Sequence, residues 1–216
     1  MYYIILLLCI ISPSYGQLDV DVPCNFTDLI SRVNYTAATI AGRWYQSERI
    51  PNEFESGDCS TATFTAVMSN GLPKALEFSN KEVVNGSLVH RNATVHLSST
   101  YFGVLNFTFT DGNSYDYVIV PVTPYEYESM VLYSCQNNGN GSLVWAWKMN
   151  KNTVQSPEAK NKTEELITSI DSLTNATWRI TSFSDTSCKL NGGLAVNAGV
   201  YLVIALSSLF LIKGIC

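Results

Sequence analysis

Apolar and polar side chains alternate through most of the chain between Gly42 and Lys151. Turn sequences such as Asn85-Gly86 and Asp111-Gly112 separate the alternating segments. Side chains that alternate with a period of two line the opposite faces of a β-strand. Eight strands are predicted, over residues 42–50, 59–68, the two segments either side of Asn85-Gly86, 102–110, 115–122, 129–135 and 143–150, with a loop at 136–141. Short turns without an internal repeat favour an up-and-down antiparallel β-barrel.

The period changes after the last of these strands. Ser156 is a suitable N-cap and Pro157 is suited to the first helical position. The apolar residues that then recur at helical spacing are Leu166, Ile167, Ile170 and Leu173. They predict one amphipathic helix packed on the barrel wall, followed by a short closing strand at 178–183. An immunoglobulin-like sandwich would leave this helix without a place, so the predicted fold class is all-β with one C-terminal helix.

The amino-terminal segment, residues 1–16, has an apolar run, a breaker at Pro13 and small residues before Gln17. This pattern is typical of a secretory signal peptide. The mature domain is therefore predicted to span residues 17–191.

The carboxy-terminal segment, residues 192–216, is mostly apolar and follows the small-residue triple Asn191-Gly192-Gly193. A small-residue site before a terminal apolar tail is the pattern of a GPI-anchor signal, which predicts removal of the tail and lipid attachment at Asn191. The alternative is a single transmembrane helix, since about 20 apolar residues can cross a bilayer. A spanning helix usually carries more flanking positive charge than the single Lys213. Both interpretations place the domain on the extracellular face of the plasma membrane.

Cysteine usage agrees with an extracellular domain. Of the six cysteines, Cys9 lies in the signal segment and Cys216 in the tail. The four that remain are Cys24, Cys59, Cys135 and Cys188. An even number in an oxidising compartment predicts two disulfides, with three pairings open. No two of the four are neighbours in sequence, which disfavours a metal site.

Size and charge limit the classes of function. Residues 17–191 are enough for one domain with a sizeable core. They carry 12 lysines and arginines, the 13 of the chain less Lys213, against 18 acidic residues, a net charge of −6. Nucleic-acid binding needs clustered basic charge, so this acidic domain is not expected to bind nucleic acid.

N-glycosylation sequons are dense along the chain. Their asparagines are Asn25, Asn34, Asn85, Asn92, Asn106, Asn140, Asn161 and Asn175. Such sites become glycosylated on the surface of secreted proteins. The density predicts an exposed glycoprotein, although Asn106 lies in an apolar strand and can carry a sugar only if it points outward.

Three segments carry a resemblance to a known family: Gly42-Arg-Trp-Tyr-Gln-Ser-Glu-Arg-Ile-Pro51, Phe54-Glu-Ser-Gly-Asp-Cys59 and Val131-Leu-Tyr-Ser-Cys135. In order and spacing they resemble the apolipoprotein D group of lipocalins, and with the anchor signal they are similar to the GPI-linked Lazarillo proteins of insects. The resemblance implies an eight-stranded barrel that holds one small ligand, with disulfides that join Cys24 to Cys135 and Cys59 to Cys188.

The resemblance also implies how one end of the barrel closes. Gly42 lets the chain enter the first strand, and Trp44 plugs the closed end. The family places an arginine over this tryptophan, and the matching residue here is Lys151. A lysine can still cover the ring with its stem and charge, but we expect a weaker closure. The family's Thr-Asp-Tyr turn also departs from its pattern, at residues 122–126.

A ligand pocket is expected inside the barrel. Alternation puts Trp145, Trp147 and Met149 on one strand face, and the resemblance makes that face the inner one. The resemblance adds Phe64 and Tyr117 as ligand contacts. Apolar pockets are lined by such side chains. The alternative is that all five only fill the core.

Catalysis has little support in the sequence. His90 and His96 share a strand face but lie too far apart to bind one metal without a third ligand. No nucleophile-elbow motif accompanies them. We therefore predict no enzyme activity, no metal and no cofactor.

Two classes of function remain. The first is carriage of a small hydrophobic ligand, such as a lipid, sterol, retinoid or bilin. The second is cell-surface recognition through a receptor, for example in neural development, with ligand binding incidental.

Overall fold

The computed structural model describes residues 18–33, 36–70, 72–97, 103–122 and 128–191. The predicted signal peptide, the terminal apolar segment and the sequon residue Asn34 lie outside these residues. Within the described ranges, no helix combines the length and apolar character needed to cross a bilayer.

The described chain folds into a ten-stranded antiparallel sheet that curls into a barrel. In chain order the elements are β1 (Leu18–Val20), α1 (Thr27–Ile30), α2 (Ala37–Ile40), β2 (Gly42–Arg49), β3 (Asp58–Ser69), β4 (Leu72–Val84), β5 (Ser87–Leu97), β6 (Val104–Phe109), β7 (Ser114–Pro121), β8 (Ser129–Asn138), β9 (Gly141–Asn150), α3 (Pro157–Thr168), a 3-10 turn (Asp171–Leu173) and β10 (Arg179–Ile180). Each strand from β2 to β9 pairs with the next, and β9 pairs with β2. The predicted eight-stranded up-and-down barrel is therefore confirmed.

Strand β2 closes the barrel between two neighbours. Its first half pairs with β3 and its second half with β9, with a register shift between Gln46 and Glu48. A bulge of this kind changes which side chains face inward. As a result Trp44, Gln46 and Arg49 are all buried on the inner side, although a regular strand would turn Arg49 outward.

Some predicted boundaries differ from the structure. The predicted loop at 136–141 is wrong, because β8 runs to Asn138 and β9 starts at Gly141. Gly139 has φ +62°, a left-handed conformation that fits a tight two-residue hairpin turn. The predicted strand at 178–183 is limited to β10, since only Arg179 and Ile180 pair with β2. Strand β1 was not predicted, because three residues are too few to show a period.

Two apolar layers fill the molecule. The inner layer consists of side chains that point into the barrel, and the outer layer lies between the barrel wall and the segments packed on it. Val118, Val131 and Val144 on the wall meet Ile167 of α3 and Leu173 of the 3-10 turn in the outer layer.

Helix α3 begins where the sequence predicts. The Ser156 hydroxyl accepts a hydrogen bond from the Ala159 amide at 3.2 Å, and Pro157 is the first helical residue. This confirms the predicted N-cap.

A buried lysine attaches this helix to the wall. Lys148 Nζ lies 2.9 Å from a Glu48 carboxylate oxygen and 2.7 Å from one of Glu164. It also lies 4.4 Å from the centre of the Trp178 ring. Glu164 is half-exposed, and together with Glu48 its carboxylate compensates the charge of the buried lysine.

Two disulfides fasten the ends of the domain to the barrel. Cys24 is bonded to Cys135 of β8, and Cys59 of β3 is bonded to Cys188. This is the pairing that the family resemblance implies. The bonds close sequence separations of 111 and 129 residues. A disulfide typically contributes about 2–4 kcal/mol through restriction of the unfolded chain, and the contribution increases with loop length.

Candidate functional site

The end of the barrel next to α2, which we call the floor, is closed by Trp44. Its indole nitrogen donates a hydrogen bond to the Ile40 carbonyl at 2.8 Å. Lys151 Nζ lies 3.7 Å from the ring centre and donates to the Ala41 carbonyl at 3.1 Å. Burial lowers the pKa of Lys151. The ammonium therefore sits on the tryptophan in the place that the resemblance assigns to it.

Gly42 sets the backbone conformation in which the chain enters β2 beside the floor. Its φ is +100°, a conformation that residues with a side chain rarely adopt. A Cβ at this position would lie 3.6 Å from Lys151 Nζ, which is ordinary contact, so the backbone conformation rather than lack of space requires glycine.

Aromatic rings line the inner wall above the floor. Ring centres are 5.2 Å apart for Phe64 and Phe78, 5.1 Å for Phe78 and Phe107, and 4.3 Å for Phe107 and Tyr117. Tyr117 continues to Trp147 at 5.8 Å. Tilted and edge-on ring pairs at these distances are favourable. They form one continuous aromatic surface inside the barrel.

The five predicted ligand residues all face inward and are buried. Tyr117, Trp147 and Met149 line a central cavity. Phe64 and Trp145 belong to the same inner layer but pack against other rings instead of lining that cavity. Their contact with a ligand remains a prediction.

The central cavity is small. The volume open to the centre of a water molecule inside it is about 10 Å³, which is room for roughly one water molecule. Pockets for small ligands have volumes of about 300–1,000 Å³. A ligand can enter this barrel only if it displaces side chains that now fill the interior.

The end opposite the floor, which we call the mouth, is covered by the loop between β2 and β3. This mouth loop comprises residues 50–57. Phe54 lies with its ring centre 5.4 Å from Tyr115 and 5.9 Å from Trp145. Glu55 beside it is only 7% exposed. Both side chains therefore occupy the upper part of the barrel interior.

The mouth loop is fixed at its ends and by one turn. The Ile50 amide donates to the Ala146 carbonyl at 2.9 Å. The Gly57 amide donates to the Glu82 carboxylate at 2.7 Å. Between these points the Asn52 side chain accepts from the amides of Phe54 and Glu55 at 2.9 and 3.0 Å. The inward side chains are thus presented by a short loop with firm ends.

The Glu55 carboxylate sits in a ring of donors. Trp147 Nε1 donates to it at 2.8 Å. In the orientation that satisfies both ends of the Gln46 side-chain amide, its nitrogen donates to the Glu55 carboxylate at 2.8 Å and its oxygen accepts from Arg49 Nη1 at 2.7 Å. Arg49 Nε is 3.9 Å away. Burial raises the pKa of Glu55, and the nearby Arg49 opposes that rise.

Arg49 is fully buried between two carboxylates. Its Nη2 donates to the Gly57 carbonyl at 3.0 Å and lies 3.9 Å from the Glu82 carboxylate. Burial lowers the pKa of Arg49, and Glu55 opposes this fall. A buried guanidinium is tolerated only when paired in this way.

Arg91 of β5 supplies a second guanidinium. Its Cζ lies 3.6 Å from the centre of the Phe109 ring and 4.2 Å from that of Phe54. It faces Tyr117, whose pKa burial raises. Arg91 and Glu55 both line the central cavity.

Sequence reasoning missed this polar cluster. The alternation of strands β4 and β5 could have revealed part of it. Glu82 and Arg91 lie two residues from Asn80 and Ala93, which are buried, so they occupy inward positions of their strands. Arg49 could not be found this way, because the bulge in β2 breaks the alternation before it.

The described sequons are accessible. The exposed asparagines are Asn25, Asn85, Asn92, Asn140, Asn161 and Asn175. Asn106 is half-buried and lies between the inward residues Leu105 and Phe107, so it points outward. Its amide donates to the Asp116 carboxylate at 2.9 Å. None of these positions obstructs a glycan by deep burial.

Comparison with known proteins gives two kinds of match. Apolipoprotein D of Oryctolagus cuniculus is 26% identical over 155 residues, which are 62% of this chain and 70% of the relative. Apolipoprotein D of Cavia porcellus is 27% identical over 150 residues, 63% of this chain and 71% of the relative. No family model matches the chain.

Solved structures match over more of the chain. Insecticyanin of the tobacco hornworm Manduca sexta gives a TM-score of 0.65 at 18% identity and covers 82% of this chain and 94% of that one. Lobster apocrustacyanin A1 gives 0.63 at 16% identity, with 81% and 94% covered. At these identities the likeness shows the fold alone.

The sequence similarity to apolipoprotein D and the shared barrel both support the lipocalin family as the source of the resemblance. The narrower likeness to the lipid-anchored members stays a prediction, since the segments that would carry an anchor lie outside the described residues.

Proposed function

We propose that this protein binds and carries one small hydrophobic ligand inside its barrel. The observation that carries the proposal is the asymmetry of the interior: a continuous aromatic wall, a floor closed by regular elements, and a mouth closed only by loop side chains. Its lipocalin homologues suggest the same class of function. Nothing in the described site suggests chemistry performed on the ligand.

Ligand entry in this proposal begins with Phe54 and Glu55. The wall residues belong to paired strands and cannot withdraw without breaking the sheet. The mouth loop can turn its two inward side chains outward while the Ile50 amide stays bonded to the Ala146 carbonyl and the Gly57 amide to the Glu82 carboxylate. The space they vacate joins the central cavity, and the aromatic wall then contacts the ligand.

A blocked barrel tests carriage. Ala62 lines the cavity, and Ala62→Leu fills it. Thr65→Leu makes a similar change at an exposed position of the same strand and is the matched control. Titration with retinol, oleic acid and a bilin, followed by tryptophan fluorescence, should show saturable binding that Ala62→Leu weakens and Thr65→Leu retains. Absence of binding by every probe, or equal binding by both variants, would contradict carriage in the barrel.

We further propose that the mature domain is held on the outer face of the plasma membrane by a lipid at Asn191. Support comes from the small-residue triple and apolar tail in the sequence. Asn191 itself lies against the turn between β4 and β5, where its amide donates to the Gly86 carbonyl at 2.7 Å and its side chain to the Asn85 carbonyl at 2.9 Å. That turn belongs to the mouth end, so a lipid attached at Asn191 would hold the mouth next to the bilayer.

Release from cells tests the tether. Phosphatidylinositol-specific phospholipase C should free the protein from the surface of expressing cells. Retention after treatment, with a known GPI-linked protein released in the same sample, would favour a spanning helix.

Cell-surface recognition through a receptor is the second candidate function. It is favoured by the six described sequons whose asparagines are exposed. Cells that display the protein should then adhere to receptor-bearing cells even with the Ala62→Leu variant. Loss of adhesion in that variant alone would make ligand carriage the primary role.

A further inference from the structure

Three buried donors at the described mouth have no hydrogen-bond acceptor in the protein. Within the described residues, the buried side-chain nitrogens or oxygens that find no hydrogen-bond partner in the protein are Arg49 Nε, Arg91 Nη2 and Trp145 Nε1. All three are donors. Two residues of the mouth loop lie next to them: the Phe54 ring contacts Arg91 and Trp145, and the Glu55 carboxylate faces Arg49. Unsatisfied buried donors are costly, and they indicate a site shaped for acceptors.

A carboxylate already occupies this site. Glu55 accepts a hydrogen bond from Trp147 Nε1 at 2.8 Å. It accepts a second one, also at 2.8 Å, from the Gln46 amide in the orientation that satisfies both ends of that amide. Because the carboxylate comes from the mouth loop and not from a strand, it leaves whenever the loop opens. The donors on β2 and β9 stay where they are.

We propose that the mouth is a carboxylate-binding site that Glu55 fills in the closed barrel, and that the carried ligand is an amphiphile whose own carboxylate replaces that of Glu55. This inference rests on the proposed function of ligand carriage and specifies the ligand's class. The ligand's head lies among Trp147, Gln46, Arg49 and Arg91, and its apolar tail points to the floor.

Charge supports this exchange. With the mouth loop open, the charged side chains that remain inside the described mouth are Arg49, Arg91 and Glu82. Asp111, which interacts with Arg91, is exposed on the turn between β6 and β7. Arg179 and Asp58 nearby pair with each other at 3.1 Å. The remaining group has a net charge of +1, which a single carboxylate neutralises and an alcohol or hydrocarbon does not. Charge-assisted hydrogen bonds in a dry site are stronger than neutral ones.

The apolar part of the ligand has a matching surface. Below the polar cluster the interior is formed by side chains such as Phe64, Phe107, Ile119 and Met130, all buried. A head held at the mouth therefore directs a chain or ring system into an apolar region, which fixes the direction of binding.

Matched ligand pairs test the proposal. Oleic acid and oleyl alcohol, and retinoic acid and retinol, differ only at the head group. Isothermal titration of delipidated protein should show at least about tenfold tighter binding of each acid than of its alcohol, the ratio that about 1.4 kcal/mol provides. Equal affinity within each pair would overturn the proposal and leave carriage of apolar ligands standing. No binding by any of the four would overturn the proposed function itself.

Variants at the mouth locate the effect. Arg91→Met should bring the acid-to-alcohol ratio close to one, while Lys81→Met, an exposed cation at the neighbouring position of β4, should retain the full preference. Trp147→Phe removes a donor without removing the ring, and it should reduce the preference by a smaller factor. If circular dichroism shows that Arg91→Met does not fold, the acid-to-alcohol ratio of Trp147→Phe tests the proposal instead.

Weakening Glu55, which occupies the site in the closed barrel, should have the opposite effect on the affinity for acids. Glu55→Gln weakens the competing acceptor and should tighten binding of both acids severalfold. Unchanged or weaker acid binding in Glu55→Gln, or an undiminished acid preference in both Arg91→Met and Trp147→Phe, would refute the exchange of carboxylates.

Discussion

Two tryptophans at opposite ends of the barrel show how differently its floor and mouth are built. Both indole nitrogens donate at 2.8 Å, Trp44 to the Ile40 carbonyl and Trp147 to the Glu55 carboxylate. Both rings are buried. The acceptor at the floor belongs to helix α2, whose N-cap Thr36 exchanges hydrogen bonds with Thr39. The acceptor at the mouth belongs to a loop side chain.

Because the floor and the mouth are built differently, one end stabilises the fold and the other can open. Floor contacts join regular elements and can be lost only when the barrel unfolds. Mouth contacts depend on Phe54 and Glu55, and they bury charges, although replacing buried ion pairs by well-packed hydrophobic side chains is often neutral or stabilising in proteins. The floor therefore supports the fold, and the mouth retains a polar cluster that we attribute to ligand exchange.

The largest expected effect comes from removing the floor tryptophan. Trp44→Ala should lower the free energy of unfolding by about 3–5 kcal/mol, because it leaves a cavity among strands that cannot collapse. Phe54→Ala at the mouth should cost clearly less, since the loop can close over the space. Urea denaturation of both variants measures the contrast. Equal losses would show that the two ends are built alike.

Next in size is the effect of removing the buried cation of the mouth. Arg49→Met leaves the carboxylates of Glu55 and Glu82 without their partner, and breaking a buried pair in this way costs about 3–5 kcal/mol, less any relief from protonation of Glu55. The double variant Arg49→Met with Glu82→Gln should regain part of the loss in the same urea experiment. No recovery would indicate that packing of the Arg49 stem, and not its charge, stabilises the mouth.

A smaller effect should appear in the pH dependence of stability. Burial raises the pKa of Glu55 above its ordinary value of 4.5. The folded state then holds a proton that the unfolded chain has lost, so the stability contributed by Glu55 falls as the pH rises from about 4.5 through the raised pKa and is constant beyond it. The charged groups that face Glu55 are Arg49, Glu82 and Arg91.

Glu55→Gln provides the reference, because those facing groups are present in both proteins. The free energy of unfolding of the wild type minus that of the variant should decrease as the pH rises above about 4.5, by about 1.4 kcal/mol for each unit by which the pKa is raised. A constant or increasing difference would mean that Glu55 is ionised as easily inside the barrel as outside.

The smallest effect concerns the cation over the floor. Lys151→Arg should raise the free energy of unfolding by about 0.5 kcal/mol, because a guanidinium stacks on an indole ring better than an ammonium does. Lys160→Arg on the exposed side of α3 is the control and should change nothing measurable. A decrease for Lys151→Arg would show that the space above Trp44 fits lysine specifically.

Sequence alone predicts the barrel, the helix start and the shared face of Trp145, Trp147 and Met149 on β9, because these depend on local periodicity. The inward orientation of that face, the disulfide pairing and the contact of Lys151 with Trp44 came from family resemblance, since periodicity does not say which face is inner and spacing leaves three pairings open. The polar cluster was not predicted. It depends on a bulge that turns Arg49 inward and on a loop that folds Glu55 into the barrel, and neither leaves a periodic signal.

The four indole N–H groups of the chain test the central claim most directly, since each tryptophan gives one resonance in a protein labelled with ¹⁵N at tryptophan. On titration with oleic acid, the account predicts large shifts for Trp147, which exchanges its acceptor, and for Trp145, which gains a ligand neighbour. Trp44 at the floor and Trp178 on the outer wall should stay unchanged. Shifts confined to Trp44 and Trp178, or four unchanged resonances with saturating ligand bound, would contradict a barrel that opens at its mouth by releasing Glu55.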